Sequence, residues 1–387
     1  MIYRILVGFF CLLCLNAGAQ ALREINYKYM YPNSIFTFDW KVTKMADGFK
    51  VYYEVRQDEP TQNIAFSIKL ETRGSLADKN GNPIAIPTAP KQPGALIGSA
   101  DFQAGPEQNI LVARITVSGL SKDLQYTFHK VIPKNNSQYM LANQRVLLKN
   151  FVKVDEPLKF EGFNTSDPLQ ISYYDVSFPP AAPAFSNTMA KVPKTFKPDS
   201  LFSVSSDASL SLTKKGLYLT QQDTSSAAGI AFRVEDDYPK LNTIESLAGP
   251  LIYICTKQEG EKLKQVGNDK KKFDQLILNI TGNSDRAKIF IRNYYKRVEL
   301  ANQYFSSYKE GWKTDRGMIF IIFGLPDEVY LFEDREVWDY KTTNAKARFQ
   351  FIKSPSLFDP DNYVLIRDKK FTDPWYETID LWRKARL

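Results

Sequence analysis

Histidine is almost absent from this 387-residue chain and cysteine is nearly so: there is one His, His129, and three Cys. A Ser-His-Asp triad would have to recruit His129, which sits in the strand-like run YTFHKVIP, and no nucleophile elbow occurs anywhere. Beyond the first nineteen positions, Cys255 is the one remaining thiol. It forms no internal disulfide, and one Cys with one His falls short of the ligands a zinc site needs. In the apolar run PLIYICTK it reads as a buried, inert thiol. Phosphate-cradling glycine patterns, Walker or GxGxxG, are also missing. No catalytic, cofactor-binding or metal-binding residue is assigned, and no cofactor is expected.

Long hydrophobic runs are lacking too. The longest such candidate, Ile5 to Leu15, is about half the roughly 20 residues that span a bilayer. It follows Arg4 and precedes Ala17-Gly18-Ala19, the order of a secretory leader. Residues 1–19 are expected to be removed by signal peptidase I after Ala19, leaving Gln20 first. Cys11 and Cys14 follow Phe10 and Leu13, bulky residues that a lipobox disfavours. The expected location is the periplasm or outer-membrane periphery of a bacterium.

What is present is β pattern, aromatic bulk and positive charge. The net charge is +8. From Lys262 to Arg297 there are ten Lys or Arg against three Asp. This basic surface, with Lys270, Lys271, Lys272, Arg292 and Lys296, suits an anionic polysaccharide, a membrane surface or another envelope protein; export argues against nucleic acid.

The expected fold is multidomain and mainly β. From 20 to 154, FKVYYEVR, AFSIKLETR, NILVARITVSGL and QRVLLKNF alternate apolar and polar residues, separated by turns such as KNGNP. They predict an immunoglobulin-like antiparallel β-sandwich. From 155 to 258, QISYYDVSF, GLYLTQ, IAFRVED and LIYICTK predict strands, either a second β-rich domain or an extension of the first. Prolines between Pro179 and Pro198 predict an extended surface loop. From 259 to 387 the pattern becomes α+β, with helices packed on an antiparallel meander. KKKFDQLILNI and SDRAKIFIRNYYKRVELANQYFSSY read as helices, the second capped by Ser284. EVWDYK, ARFQFIKS and YVLIRD read as strands, and WYETIDLWRKARL as a terminal helix.

Between helix and meander lies EGWKTDRGMIFIIFGLPDEVY, Glu310 to Tyr330. MIFIIF is expected to be a central strand buried on both faces. Gly311 is expected to end the preceding helix as a left-handed cap, and Trp312 to wedge helix against sheet. Thr314 and Asp315 would satisfy loose backbone N–H groups, with a turn at Gly324, Pro326, Asp327 and Glu328.

Gly311-Trp312-Lys313-Thr314-Asp315, the Gly324-x-Pro326-Asp327-Glu328 turn and Glu336-Val337-Trp338-x-Tyr340 together resemble the GWxTD domain of bacterial exported proteins. The resemblance covers about residues 259–387 and implies no activity or catalytic residue. Leu325 stands where that pattern commonly has Pro. Two functional readings follow: a non-catalytic envelope protein that binds or scaffolds, and a polysaccharide binder or carboxylate-dependent glycoside-acting enzyme. Asp315, Asp327, Glu328, Glu333, Asp334, Glu336 and Asp339 supply the carboxylates for the latter.

Overall fold

The computed structural model describes residues 21–32, 35–58, 64–87, 92–132, 140–162, 168–188, 192, 194–225, 228–341 and 346–387. The expected leader, with Cys11, Cys14, Ala19 and Gln20, lies outside the described residues. The chain is mainly β, built of several antiparallel sheets with a helical region toward its C-terminus.

Period-two alternation folds as read in the first region. Strands β1 (Phe36–Met45), β2 (Gly48–Gln57), β3 (Ala65–Arg73), β4 (Asn82–Ile84), β5 (Ala95–Phe102), β6 (Ile110–Ser118) and β7 (Leu124–Val131) form two antiparallel sheets. Their orders are β1-β2-β5 and β4-β3-β6-β7. Phe36, Val51, Tyr53 and Val55 of the first face Leu111, Ala113, Ile115, Val117 and Phe128 of the second. That is a sandwich core in which alternate residues point inward.

Strands β8 (Met140–Asn143), β9 (Arg145–Val146), β10 (Phe151–Lys153), β11 (Lys159–Glu161), β12 (Leu169–Tyr174), β13 (Ser200–Val204), β14 (Gly216–Gln221) and β15 (Ile230–Glu235) form the next pair of sheets. The orders are β11-β8-β9 and β10-β15-β14-β12-β13, with β10 parallel to β15. Strand pairing therefore changes partners ahead of residue 154. The expected strand Gln144–Phe151 is broken, because Gln144 takes a left-handed turn (φ 52°) between β8 and β9.

The other face of β12 and β14 is also covered. Leu217, Leu219 and Tyr174 pack against Tyr308 and Phe358 of the C-terminal region. The proline-rich segment contributes the partly buried Phe196, which packs against that cluster. As expected, it has no regular structure among its described residues, but it is not a surface loop. Ala181 and Ala184 are buried, Ala181 N donates to Lys313 O at 3.0 Å, and Asp368 N donates to Ala184 O at 3.1 Å. Prolines lack N–H donors, so such a strap buries little unpaired backbone and lends its remaining groups to its neighbours.

The C-terminal region holds α1 (Ile244–Ala248), α2 (Lys257–Leu263), α3 (Lys270–Thr281), α4 (Ser284–Phe305), α5 (Asp315–Phe323), the sheet β16 (Glu328–Leu331), β17 (Arg335–Tyr340), β18 (Ala347–Lys353) and β19 (Tyr363–Leu365), and α6 (Thr372–Arg383). LIYICTK is not a strand. Gly249–Tyr253 is a 3₁₀ turn, and Thr256 with Glu259 forms a capping box that starts α2. The cap of α4 is Asn283, whose side chain accepts from Arg286 N at 2.9 Å, rather than Ser284. Phe290, Tyr294, Val298, Ala301 and Phe305 form its buried stripe, while Ile291 faces out.

MIFIIF is not a strand either; it lies in α5. Apolar residues on every side are expected of a helix buried all round as much as of a central strand. The choice is made at its start, where Thr314 Oγ1 accepts from Gly317 N at 3.0 Å as an N-cap. Finally, the first described residues reach back to the last sheet. Tyr27 N donates to Val329 O at 2.8 Å, and Val329 N donates to Asn26 Oδ1 at 2.9 Å. The edge of β16 is thereby covered.

Candidate functional site

Two regions concentrate polar groups in unusual positions: the turn into α5, and a cleft where the three regions meet. In the first, Gly311–Lys313 is a 3₁₀ turn laid directly on the end of α4. Helix α4 has already ended at Phe305, so Gly311 is no left-handed cap. Its requirement is closeness: a Cβ there would stand 2.1 Å from Ala301 O. Gly317 is needed for the same reason, since its Cβ would stand 1.8 Å from Gly311 O. Asn302, fully buried, holds the turn by accepting from Trp312 N at 3.0 Å and donating to Pro239 O at 2.9 Å. The Trp312 indole fills a slot beside Gly249 and Tyr253, and Tyr253 Oη donates to Trp312 O at 2.9 Å.

Asp315 is buried and wholly engaged. Its Oδ1 meets Arg367 Nη2 at 2.5 Å, and its Oδ2 accepts from Leu365 N at 2.8 Å and Arg367 Nη1 at 3.3 Å. Arg367 Nη2 also donates to Ala182 O at 3.0 Å. One carboxylate thus ties α5 to β19 and, through Arg367, to the strap. Its role is broader than capping a turn.

The remaining motif residues close the other end and side of α5. Gly324 ends the helix with φ 83° and offers its carbonyl to Tyr340 Oη at 2.8 Å. Arg297 Nη1 and Trp382 Nε1 donate to Ile322 O at 3.2 Å and 3.0 Å. A helix end buried in this way must find such donors for its loose carbonyls. Pro326 is buried in the following turn, and Asp327 Oδ2 accepts from Lys341 N at 2.6 Å. Glu336, Trp338 and Tyr340 alternate along β17 and are buried. Glu336 accepts from Trp338 Nε1 at 2.7 Å, from Arg316 Nη1 at 3.2 Å and from Tyr31 Oη. Beyond these, Asp339 pairs with Arg348 at 3.2 Å, and Glu328 with Lys341.

The basic residues singled out in the sequence lie elsewhere, on the outer side of α3 and α4. All five are exposed. Lys270 pairs with Asp274 at 2.5 Å, Lys272 with Asp269 at 3.7 Å and Lys296 with Glu299 at 3.9 Å. Arg292 projects from the same helix as Lys296. His129 is taken by an internal contact, its Nδ1 lying 3.0 Å from Tyr27 Oη, and burial pushes its pKa down to about 4. Burial pushes the Cys255 thiol up to about 12, against nucleophilic use. Among the described residues there is no group of three His, Cys, Asp or Glu able to hold a metal ion.

The cleft was not visible in the sequence. Two adjoining cavities, of about 270 and 400 Å³, share Trp40, Lys130, Leu148, Lys353 and Asp361 in their walls. Lys130 Nζ lies 3.7 Å and Lys353 Nζ 3.1 Å from the Asp361 carboxylate, which they clamp between two domains. Burial raises the Asp361 pKa, but Lys130 and Lys353 outweigh it and hold the group down at about 2. Its buried neighbour Asp359 is pushed up to about 7 by burial and by Asp361. Lys41 is brought down to about 7 by burial and by Lys130. These residues come from positions 41, 130, 353, 359 and 361, so no local motif announces them.

Fold and site together define a multidomain, mainly β protein whose C-terminal module is organised around one buried helix. Residues 216–384 match the family model of the GWxTD domain, so this is a GWxTD domain-containing protein. The match begins at the first residue of β14, ahead of the 259 expected from sequence. Contacts explain the earlier start: Arg233 of β15 donates to Tyr308 O at 3.1 Å and lies 3.5 Å from Glu310. No curated protein matches the chain.

Proposed function

We propose that this protein is a non-catalytic binding or scaffold module of the bacterial cell envelope, working in the periplasm or at the outer-membrane periphery. One observation carries the reading. The reactive-looking groups of the motif are consumed by internal partners, Asp315 above all, through its buried pair with Arg367 at 2.5 Å. A general acid or nucleophile must reach a substrate, and a carboxylate that joins a helix, a strand and a strap has no oxygen to spare. The leader pattern supplies the location. The exposed basic face of α3 and α4 supplies a surface for an envelope protein, or for anionic polysaccharide or lipid.

Cross-linking in intact cells, followed by pull-down and mass spectrometry of the envelope fraction, tests this. The expected result is a reproducible envelope partner. A chain that stays in the cytoplasm, or is recovered free from the periplasm without a cross-linked partner, would overturn it. The glycoside-acting alternative draws support from Glu333 and Glu336, which both line the 270 Å³ cavity. Glu336, however, is tied to Arg316, Trp338 and Tyr31. Hydrolysis of a polysaccharide that is lost in Glu333→Gln would favour the enzyme.

A further inference from the structure

The larger cavity, about 400 Å³, has a wall from each of the three regions. Trp40 and Val131 come from the first sandwich, Ile230 from β15, and Leu357 and Phe358 from the loop between β18 and β19. Such a volume at a domain junction, mostly apolar with a few polar groups, is the usual form of a small-ligand site. Its polar part is three amines, the Asn150 amide and the carboxylates of Asp359 and Asp361. Two of the amines, Lys130 and Lys353, already grip a carboxylate, that of Asp361, at 3.7 Å and 3.1 Å.

The third amine, Lys41, differs. Its Nζ donates to two carbonyls, Leu147 O and Lys149 O, both at 3.2 Å. An ammonium has three donors, so one is left for the cavity. The carboxylate beside it on β1, Asp39, is occupied by Lys149 at 2.6 Å. Among the described residues no carboxylate is paired with Lys41. Asp39 favours the charged amine from a distance, but a cation in a partly buried wall with no directly paired carboxylate still costs free energy, which a bound anion would offset.

We propose that this cavity binds a small amphipathic carboxylate, its apolar body against Trp40, Leu357 and Phe358 and its head on Lys41 and Lys130. Both parts are required. An acetate-sized anion leaves the apolar walls unfilled, and an alkyl chain with a cationic head meets the Lys41 amine while Asp361 is already held by Lys130 and Lys353. The inference goes beyond the scaffold reading and does not rest on it, because a ligand site here serves a free or a partner-bound protein equally.

Isothermal titration of the mature chain with decanoate, at about pH 7, tests it. Acetate and decylammonium serve as the head-only and charge-reversed probes. Saturable one-to-one binding of decanoate, and of neither control, is expected. Lys41→Met should weaken that binding about tenfold or more, the loss expected of one charge-assisted hydrogen bond. Lys130→Met should weaken it as well, so the test survives if either variant folds poorly. Lys122→Met, in the exposed turn between β6 and β7, should leave it unchanged. Absence of saturable decanoate binding would overturn the proposal. So would equal binding of decylammonium, or full affinity retained in a folded Lys41→Met protein.

Discussion

Asp315 and Lys41 are both charged groups in the interior of the chain, yet their surroundings are opposite. Asp315 meets Arg367 twice and a backbone N–H once, so its charge is paired and both its oxygens are bonded. Lys41 meets two carbonyls and is paired with no carboxylate; burial, then Lys130 and Lys149, depress its pKa against the pull of Asp39. The difference separates architecture from capacity. A saturated buried charge fixes a fold, since removing one partner strands the other. An undersaturated one is available to a ligand. On this comparison the motif that names the domain is a device for burying α5, and the cleft is the place where the molecule retains unspent binding potential.

The largest expected effects lie at the motif. Asp315→Ala strands Arg367 in the interior and should cost about 3–5 kcal/mol. Trp312→Ala empties the slot beside Gly249 and should cost a similar amount, about 3–5 kcal/mol. Chemical denaturation of the whole chain measures both. If Asp315→Ala kept wild-type stability, the motif would lose its architectural role and the comparison would collapse. Replacing the pair together, as Asp315→Leu with Arg367→Met, should recover part of the loss, because an apolar pair leaves no stranded charge.

Next come the two close approaches. Gly317→Ala and Gly311→Ala each press a methyl group into a carbonyl and should cost about 3 kcal/mol, at the upper end of overpacking. Thermal midpoints read this directly. An unchanged midpoint in both would mean the turn is not laid on α4 as described.

The cleft predicts a pH dependence instead of a uniform loss. Asp359 has its folded pKa raised from 3.8 to about 7. Its protonated form is therefore favoured by folding, a contribution present at low pH and lost as pH rises through about 7. Asp359→Asn mimics that form at every pH. It should match wild type near pH 4 and exceed it by roughly 4 kcal/mol above pH 8. Lys41, lowered from 10.5 to about 7, works in the other direction: its burial costs stability below about pH 7, and that cost fades toward pH 10. Melts of Asp359→Asn and Lys41→Met across pH sharpen the contrast. A flat difference for both would remove the undersaturated groups from the cleft.

The smallest effect belongs to the exposed basic face. Neutralising Lys270, Lys271 and Lys272 should change stability by no more than about 0.5 kcal/mol, since their ion pairs are solvent-exposed. If that face makes envelope contacts, binding to anionic vesicles should weaken most at low salt. Equal binding by variant and wild type at low salt would reduce it to a solvated surface.

Alternation in AFSIKLETR and NILVARITVSGL sufficed for the first sandwich, because a half-buried strand must place every second residue inward. The i, i+4 stripe of α4 was legible for the same reason: it has one wet face and one dry face, and the period records which. MIFIIF has no wet face, so its period records nothing, and only the cap by Thr314 and the donors at its far end make it a helix. PLIYICTK misleads in the same way; Pro250 and the Thr256 capping box decide its conformation. Sequence by itself determined the β-rich character, the C-terminal domain and the residues of its motif. Tertiary structure alone decided that the proline-rich segment is a buried strap, that Asp315 holds helix, strand and strap together, and that Lys41, Lys130 and Lys353 share one cleft. Local pattern carries the energetics of neighbours within a turn or a pleat. Meetings between positions as distant as 41 and 353 are set by the packing of whole regions, which no local period encodes.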